Sequence, residues 1–418
     1  MEAHRGMSPP RSYVIYAPTP WDSQRQPLHG FADGLAVRHR VLYVDPPLSP
    51  LSPIRYGFRP STWPRLRTVL QRRVRTCGNL KVFSPLVLPP IEHPRMRSLS
   101  LPLVRAQVAR AAASAGLVNP VVVATRGMPG LAGTVHESLC VGMFVDHPSA
   151  GATLMGRDAD ELEAEASAIC EASDLLCTTS QSLSELFVER GWPNAMIPAG
   201  FPADLADDYE RAAKPPEYDS LPRPLLGYTG GVDDRLDYEL ILRIADRFSH
   251  GSLVFVGAIS PRLSAEARAA LAARSNIHLL GLRPRTQLPG YIRHLDVALL
   301  PYKDSLFTRY QSPMKVWEYL CAGPPIVGAG SAELRRYPAP LVHYAETADG
   351  AIPLVEQALH DPAGGRDERR RFALANTWED RANLLDTLVG ELLQSRLREP
   401  DAGPVDAEPP VPQPASAR

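Results

Sequence analysis

Short apolar runs alternate with amphipathic stretches along most of this chain. The runs are continuous and rich in β-branched residues, which is typical of strands buried on both faces of a parallel sheet. Helical stretches lie between them, for example at 30–38, 96–115 and 158–172. In the first half the pattern predicts strands at 13–17, 40–44, 80–85, 120–124, 141–145, 174–178 and 195–198. We therefore predict an α/β fold with right-handed crossovers.

A charged, proline-rich stretch at 206–222 interrupts this pattern and has the composition of a linker. Two α/β domains are therefore predicted, at 11–205 and 223–376, facing a central cleft. Ligands of such folds lie beyond the carboxyl ends of the strands, so we expect the functional site in that cleft. The strands predicted for the second domain are at 225–229, 253–257, 276–280, 296–301, 325–328 and 341–344.

The end of the chain divides into a helix and a tail. Thr377 is placed to cap a long helix over 377–397, in which Trp378 and Leu385 fall on one apolar stripe. The residues that follow, 398–418, are rich in Pro, Ala and Asp and contain almost no large apolar side chain. We predict that this tail is disordered.

Composition and motif content argue against several classes of function. The 418 residues carry a formal net charge of -1, which disfavours nucleic acid as a partner. No apolar run reaches the length of a membrane span, and no secretory signal opens the chain. The five cysteines form no CxxC pair, which favours a reducing cytoplasm. The chain has no G-x-G-x-x-G, P-loop or Asp-x-Asp motif, so we expect no dinucleotide cofactor and no obligatory metal.

One segment is strongly basic. Between Asp45 and Glu92 there is no acidic residue, and Trp63, Leu66 and Val74 recur at helical spacing. An amphipathic basic helix within 55–75 is predicted either to bind an anionic membrane surface or to pack on the core as a solvated helix, and both readings stay open. The positive charges of the whole stretch between Asp45 and Glu92 come from Arg55, Arg59, Arg65, Arg67, Arg72, Arg73, Arg75 and Lys81.

The stretch 312–323 contains the strongest candidates for ligand-binding residues. Ser312 as N-cap and Gly323 at the end outline a helix of three turns. Lys315 then falls in the first turn, where the helix dipole disfavours a cation unless an anion binds there. Glu318 lies on the same face, so the two residues either serve a diphosphate and a ribose or form an ordinary surface ion pair.

Two further pairs of residues lie directly after predicted strands, at the carboxyl ends of those strands. Gly230 and Gly231 would let backbone N–H groups approach a phosphate, although a plain turn explains them equally well. Asp146 and His147 could face the cleft and contact a donor sugar or an acceptor.

Residues 276–283 and 288–302, together with the helix at 312–323, resemble the nucleotide-binding half of the retaining GT-B glycosyltransferases. The resemblance covers about 225–330. The sequence RVLYVDPP at 40–47 and the segment 21–26 look like a subgroup related to teichuronic-acid transferases.

The resemblance implies two Rossmann-like domains, a last helix that returns to the first domain, and a nucleotide diphosphate sugar as donor. The acceptor would be an envelope polysaccharide, a lipid-linked glycan or a small molecule, and the protein would work in the cytoplasm, either free or peripheral on the inner face of the plasma membrane. The implied donor-binding residues are Gly230, Gly231, Arg283, Tyr310, Ser312, Lys315 and Glu318, and the implied catalytic residues are Asp146, His147, Arg235 and Lys315.

Two departures from the family pattern matter. Tyr310 stands where the family has the first of two glutamates, which leaves the donor sugar and the stereochemistry open. The diphosphate loop lacks the family's Arg and Lys, and Arg235 is the expected substitute beside Lys315. The alternatives are a nucleotide-sugar epimerase of the same fold and a degenerate, non-catalytic partner of another transferase.

Overall fold

The computed structural model describes residues 9–49, 74–87, 94–125, 130–152, 157–360 and 365–398, and for 94–98 it describes the backbone. Most of the basic segment 55–75 and nearly all of the tail 398–418 lie outside these ranges, so the predictions for both remain predictions.

The first domain is built on an eight-stranded sheet. Its strands are β1 (Ser12–Tyr16), β2 (Arg40–Val44), β3 (Val74–Cys77), β4 (Leu80–Phe83), β5 (Val121–Ala124), β6 (Leu139–Phe144), β7 (Leu175–Thr178) and β8 (Ala195–Met196). Their order across the sheet is β3-β4-β2-β1-β5-β6-β7-β8, with every pair parallel except β3 and β4. Consecutive residues of β1 are fully buried, as the continuous apolar runs predict for a sheet covered on both faces.

Four helices of the first domain cover that sheet within the described residues. They are α1 (Pro27–Ala36), α2 (Pro94–Ser114), α3 (Ala159–Glu171) and α4 (Gln181–Glu189). Asp158 caps α3 and Ser180 caps α4 through side-chain oxygens that accept backbone N–H groups of the first turn, which fixes where each helix begins.

The second domain has a six-stranded, fully parallel sheet in the order β11-β10-β9-β12-β13-β14. These strands are β9 (Leu225–Thr229), β10 (Ser252–Val256), β11 (Ile277–Gly281), β12 (Val297–Pro301), β13 (Ile326–Ala329) and β14 (His343–Ala345). The strand order reverses between β9 and β12, and the carboxyl ends of these two strands therefore form the crevice in which such sheets bind ligands.

The helices of the second half follow the same alternation. They are α5 (Ala206–Arg211), α6 (Tyr238–Arg247), α7 (Ala265–Ala272), α8 (Leu288–Arg293), α9 (Leu306–Tyr310), α10 (Lys315–Ala322), α11 (Ala348–Leu359), α12 (Gly365–Leu374) and α13 (Trp378–Arg398). Each strand expected from the sequence is present, with ends that differ by at most two residues.

Two features of local structure depart from the sequence pattern: the linker is folded, and one residue of the basic segment lies in a strand. The linker at 206–222 contains α5 and a 3₁₀ turn, because its tyrosines supply apolar anchors: Tyr209 and Tyr218 are buried, and the Tyr218 hydroxyl donates to the carbonyl of Tyr291 at 3.0 Å. Val74, assigned to the stripe of a basic helix, lies instead in β3, which pairs with β4 as an antiparallel edge strand.

The last helix, α13, packs against α1 of the first domain. This return to the first domain is what the resemblance to GT-B glycosyltransferases implies. Thr377 accepts the N–H of Asp380 at 3.2 Å and so caps α13 as the sequence predicts. The ring of Trp378 lies so close to α1 that a Cβ on Gly30 would stand 2.2 Å from it, so that only glycine fits there. In the described part of the chain, no helix combines the length and the apolar character needed to cross a bilayer.

Candidate functional site

The loop after β9 lies at the point where the second sheet reverses its strand order. Gly230 begins this loop with φ of +146°, and a Cβ there would come within 2.2 Å of Lys315 Cε and 2.7 Å of the Tyr228 hydroxyl. Glycine is therefore required, because it allows the backbone to pass directly beneath the lysine side chain. This contact joins the two halves of the predicted diphosphate site.

Lys315 is the first residue of α10 and is half-buried above the Gly230 loop. Its Nζ lies 5.8 Å from the centre of the Tyr228 ring, on the aromatic face. Burial lowers the pKa of Lys315, and the charge of Glu318 opposes that shift. An anion bound here would stabilise the charged ammonium, which has lost part of its hydration, and would also bind the free N–H groups of the helix N-terminus.

Glu318 lies one turn further along α10 and is also half-buried. Burial raises its pKa, while the charges of Lys315 and Arg285 work in the opposite direction. A carboxylate held in this way is suited to accept hydrogen bonds from neutral hydroxyl groups.

Arg235 is engaged within its own loop. Its Nε and Nη2 donate to the two carboxylate oxygens of Asp233 at 2.8 and 2.7 Å, and this hydrogen bonding raises the pKa of the guanidinium. The carbonyl of Arg235 also accepts the N–H of Lys303, so the loops after β9 and β12 are tied together. The fork geometry makes Arg235 a brace of the site, with its charge already paired.

The helix at 312–323 begins later than expected. Ser312 is not its N-cap: α10 begins at Lys315, and the first turn is tightened by bonds from the N–H groups of Val316 and Trp317 to the carbonyls of Pro313 and Met314. The predicted end is confirmed, since Gly323 adopts the left-handed conformation with φ of +89°.

Tyr310 and His147 bring the two domains together. Their ring centroids are 4.9 Å apart, and the carbonyl of Tyr310 accepts the Ser180 hydroxyl at 2.6 Å. His147 Nδ1 accepts the N–H of Ser149 at 3.2 Å and lies 3.9 Å from Glu163 Oε1. Asp146 precedes His147 on the same loop and is half-buried.

Arg283 lies at the linker side of the second domain. Its Nη2 is 3.1 Å from Glu217 Oε1, and its Nε donates to the Tyr291 hydroxyl at 2.9 Å. The side chain thus fixes the 3₁₀ turn of the linker against α8.

Two arginines of the cleft were not singled out from the sequence. Arg25 stacks on the Trp21 ring at 4.7 Å, and Arg285 is exposed after β11. Burial is the main cause that lowers the pKa of Arg25 and of His29 in the first domain, and the charge of Arg285 lowers both further. The sequence carries no signal for this approach, because it arises from loops about 260 residues apart. In the described ranges no three His, Cys, Asp or Glu side chains gather as metal ligands would.

Known proteins of similar structure identify the architecture. The chain matches sucrose-phosphate synthase from Thermosynechococcus elongatus with a TM-score of 0.65 at 17% identity, over 92% of this chain and 100% of that one. The chain has the GT-B fold. It also matches Anabaena HepE, solved with UDP and glucose, with a TM-score of 0.61 at 12% identity, over 92% of this chain and 99% of that one.

The sequence also has a curated relative that it matches over part of its length. The provisionally named teichuronic acid biosynthesis glycosyltransferase TuaH of Bacillus subtilis (strain 168) is 24% identical over 159 residues, which span 37% of this chain and 40% of the relative. No protein-family model matches the chain.

Proposed function

We propose that this GT-B protein is a retaining glycosyltransferase that moves a hexose from a nucleotide diphosphate sugar to an acceptor hydroxyl. The observation that carries the proposal is the contact of Lys315 with the Gly230 loop at the reversal point of the second sheet. A half-buried cation above a glycine loop is a place for a diphosphate, and the GT-B fold supports a nucleotide-sugar donor.

In the proposed reaction the bond between the anomeric carbon and the diphosphate oxygen breaks, and that oxygen keeps the electron pair. Lys315 and the N–H groups of the loop stabilise the charge that develops there. Glu318 holds the ribose hydroxyls, while Arg235, fixed by Asp233, keeps the loop in position. Because Lys315 and the backbone supply this charge, the proposal calls for no metal ion and no other cofactor.

The first domain would complete the site. His147 lies against Tyr310 of the second domain, and its Nδ1 accepts the N–H of Ser149. We propose that His147 and Asp146 contact the donor sugar or the incoming acceptor. The acceptor hydroxyl oxygen forms the new bond to the anomeric carbon, and the departing diphosphate oxygen takes up the proton that this hydroxyl loses.

The acceptor side of the proposal is an envelope polysaccharide or a lipid-linked glycan, made in the cytoplasm at the inner membrane face. It is supported by the name of the Bacillus subtilis relative and by the basic segment 55–75 of the sequence. Replacing Arg65, Arg72 and Arg73 by Gln should weaken binding to anionic liposomes by about 1 kcal/mol per charge, and added salt should have the same effect. Equal binding of both proteins to anionic liposomes would remove the membrane proposal.

The donor half is tested by calorimetry with UDP, ADP and GDP, followed by product analysis with the matching sugar nucleotides. We expect one nucleotide to bind and Lys315→Ala to weaken it at least tenfold, while Lys303→Ala, a nearby exposed lysine, leaves binding unchanged. Sugar interconversion without an acceptor would indicate an epimerase. Failure to bind any nucleoside diphosphate would indicate a non-catalytic partner of another transferase.

A further inference from the structure

The outward face of α2 begins with exposed apolar side chains. Leu99 and Leu103, one turn apart, are 68% and 45% exposed, and Pro102 between them is exposed as well. The opposite side of α2 packs on the first sheet through Val104 and Val108, which are fully buried. This part of α2 is therefore apolar on both sides. A helix that covers a sheet needs only one apolar side, so the outer one is available to an apolar partner.

A helix of the second domain shows that the fold does not require such a face. α6 covers the second sheet in the same way and presents Arg243, Asp246 and Arg247 on its outward side. Each of these three residues forms an ion pair with a neighbouring segment. The exposed leucines of α2 are therefore a property of this sequence and not of a covering helix in general.

The charges that accompany the apolar face have one sign. α2 contains no acidic residue, and its exposed Arg110 lies two turns beyond Leu103 on the same face. Arg105 is also exposed, and its Nε donates to the backbone carbonyl of Gly130 at 2.7 Å, a contact that leaves its charge in place. In the sequence from 46 to 136 Glu92 is the one acidic residue, although the whole chain has a formal net charge of -1. Positive charge is thus concentrated in this part of the first domain.

Together the two properties select the partner. An anionic bilayer offers charged head groups to the arginines and an apolar phase to the leucines. Nucleic acid offers phosphates, but it has no apolar phase that could take up Leu99 and Leu103. A second copy of the same face would bring arginine against arginine, which electrostatic repulsion opposes.

We infer that α2 is a membrane-contacting helix, in which Leu99 and Leu103 insert into an anionic bilayer while Arg105 and Arg110 bind its head groups. The inference rests on the membrane part of the proposed function and adds a contact outside the segment 55–75. The leucine contribution is apolar, so it should persist when salt screens the charges, whereas the arginine contribution should not.

The test is the double variant Leu99→Gln/Leu103→Gln, sedimented with vesicles of phosphatidylcholine and phosphatidylglycerol. Because both side chains are exposed, we expect an unchanged melting temperature. The partition coefficient should fall about tenfold or more. In about 1 M NaCl the wild type should still bind more strongly than this variant, and the variant with Arg65, Arg72 and Arg73 replaced by Gln should then bind like the wild type.

Two further variants control for effects on folding. Leu384→Gln is the matched control, since Leu384 is 40% exposed on α13, a helix that also carries acidic residues. We expect it to bind vesicles like the wild type. Leu103→Trp places a side chain that favours the membrane interface at the same position, so it should bind about twofold more tightly or better, a gain that misfolding does not produce.

The outcomes separate this inference from the proposed function. If the wild type binds anionic vesicles and the double variant binds equally well, the inference alone is overturned. If the wild type does not bind them, the membrane proposal falls as well, while nucleoside diphosphate binding still tests the transferase. A wild-type dimer that the double variant abolishes, without binding of either protein to vesicles, would assign the face to a second copy and overturn the inference.

Discussion

Asp386 of the last helix accepts a hydrogen bond from the hydroxyl of Tyr13 in the first strand, at 2.6 Å and out of contact with water. Arg11 donates to the same carboxylate oxygen, and His39 Nε2 lies 3.4 Å from it. One buried carboxylate thus gathers three groups of the first domain and anchors the end of the described chain to its beginning.

Tyr13→Phe should lower the free energy of unfolding by about 1.5–3 kcal/mol, because a hydrogen bond to a charged group is lost inside the protein. Chemical denaturation followed by fluorescence measures the change. Thr387→Ala is the control, since the Thr387 hydroxyl bonds only within its own exposed helix turn. Equal stability of the Tyr13 variant and the wild type would show that Arg11 alone holds Asp386.

Deletion of 377–418 should expose the face of α1 that Trp378, Ala382 and Leu385 cover. We expect the isolated chain to lose nucleotide-sugar turnover before the second domain unfolds, because the bracing between the domains is gone. Deletion of 399–418 removes none of these contacts and should change little. Equal damage from both deletions would mean that the tail itself makes essential contacts.

Glu318→Ala should weaken nucleoside diphosphate binding by about 1.5–3 kcal/mol with little change in melting temperature, since it removes a charge-assisted hydrogen bond to the ligand and no structural bond. Titration calorimetry and thermal melts separate the two effects. Glu318→Gln should recover part of the affinity. A large loss of stability with unchanged affinity would instead assign Glu318 a structural role.

Stability should fall as the pH drops below about 6.5, the ordinary pKa of histidine. His29 Nδ1 accepts the N–H of Gln26 at 2.9 Å, Nε2 lies 3.1 Å from the carbonyl of Pro20, and burial lowers the pKa of the ring. Below pH 6.5 the unfolded chain therefore binds a proton at His29 that the folded chain does not bind. The part of the stability that depends on neutral His29 is fully present above pH 6.5 and is lost below it.

Thermal melts from pH 7.5 to 5 check this expectation. His29→Gln should flatten the pH dependence in part. Some dependence should remain, because burial also lowers the pKa of His39. A His29 variant with the full wild-type slope would show that other groups control the acid response.

Much of the fold was predictable from local pattern. Continuous apolar runs such as 225–229 indicate strands that are buried on both faces of a sheet. The alternation of these runs with helical stretches indicates parallel strands joined by crossovers. The positions of the strands and the division into two domains therefore follow from the sequence. Lys315, Glu318 and Gly230 could be selected because each stands at an element boundary where its residue type has a physical meaning.

The exceptions depend on partners distant in sequence. Tyr209 and Tyr218 fold the linker only because the second domain offers them a buried surface, and Val74 is a strand residue only because β4 pairs with it. The sequence offers Arg235 as a cation for the ligand, whereas in the structure its charge is paired with Asp233. The sequence by itself determined the elements, their order and the residue types at strand ends, because these follow from interactions within a few residues. Tertiary structure alone decided which charges are already paired and which polar groups remain for a ligand, because hydrogen bonding and burial are set by groups that the chain brings together from far apart.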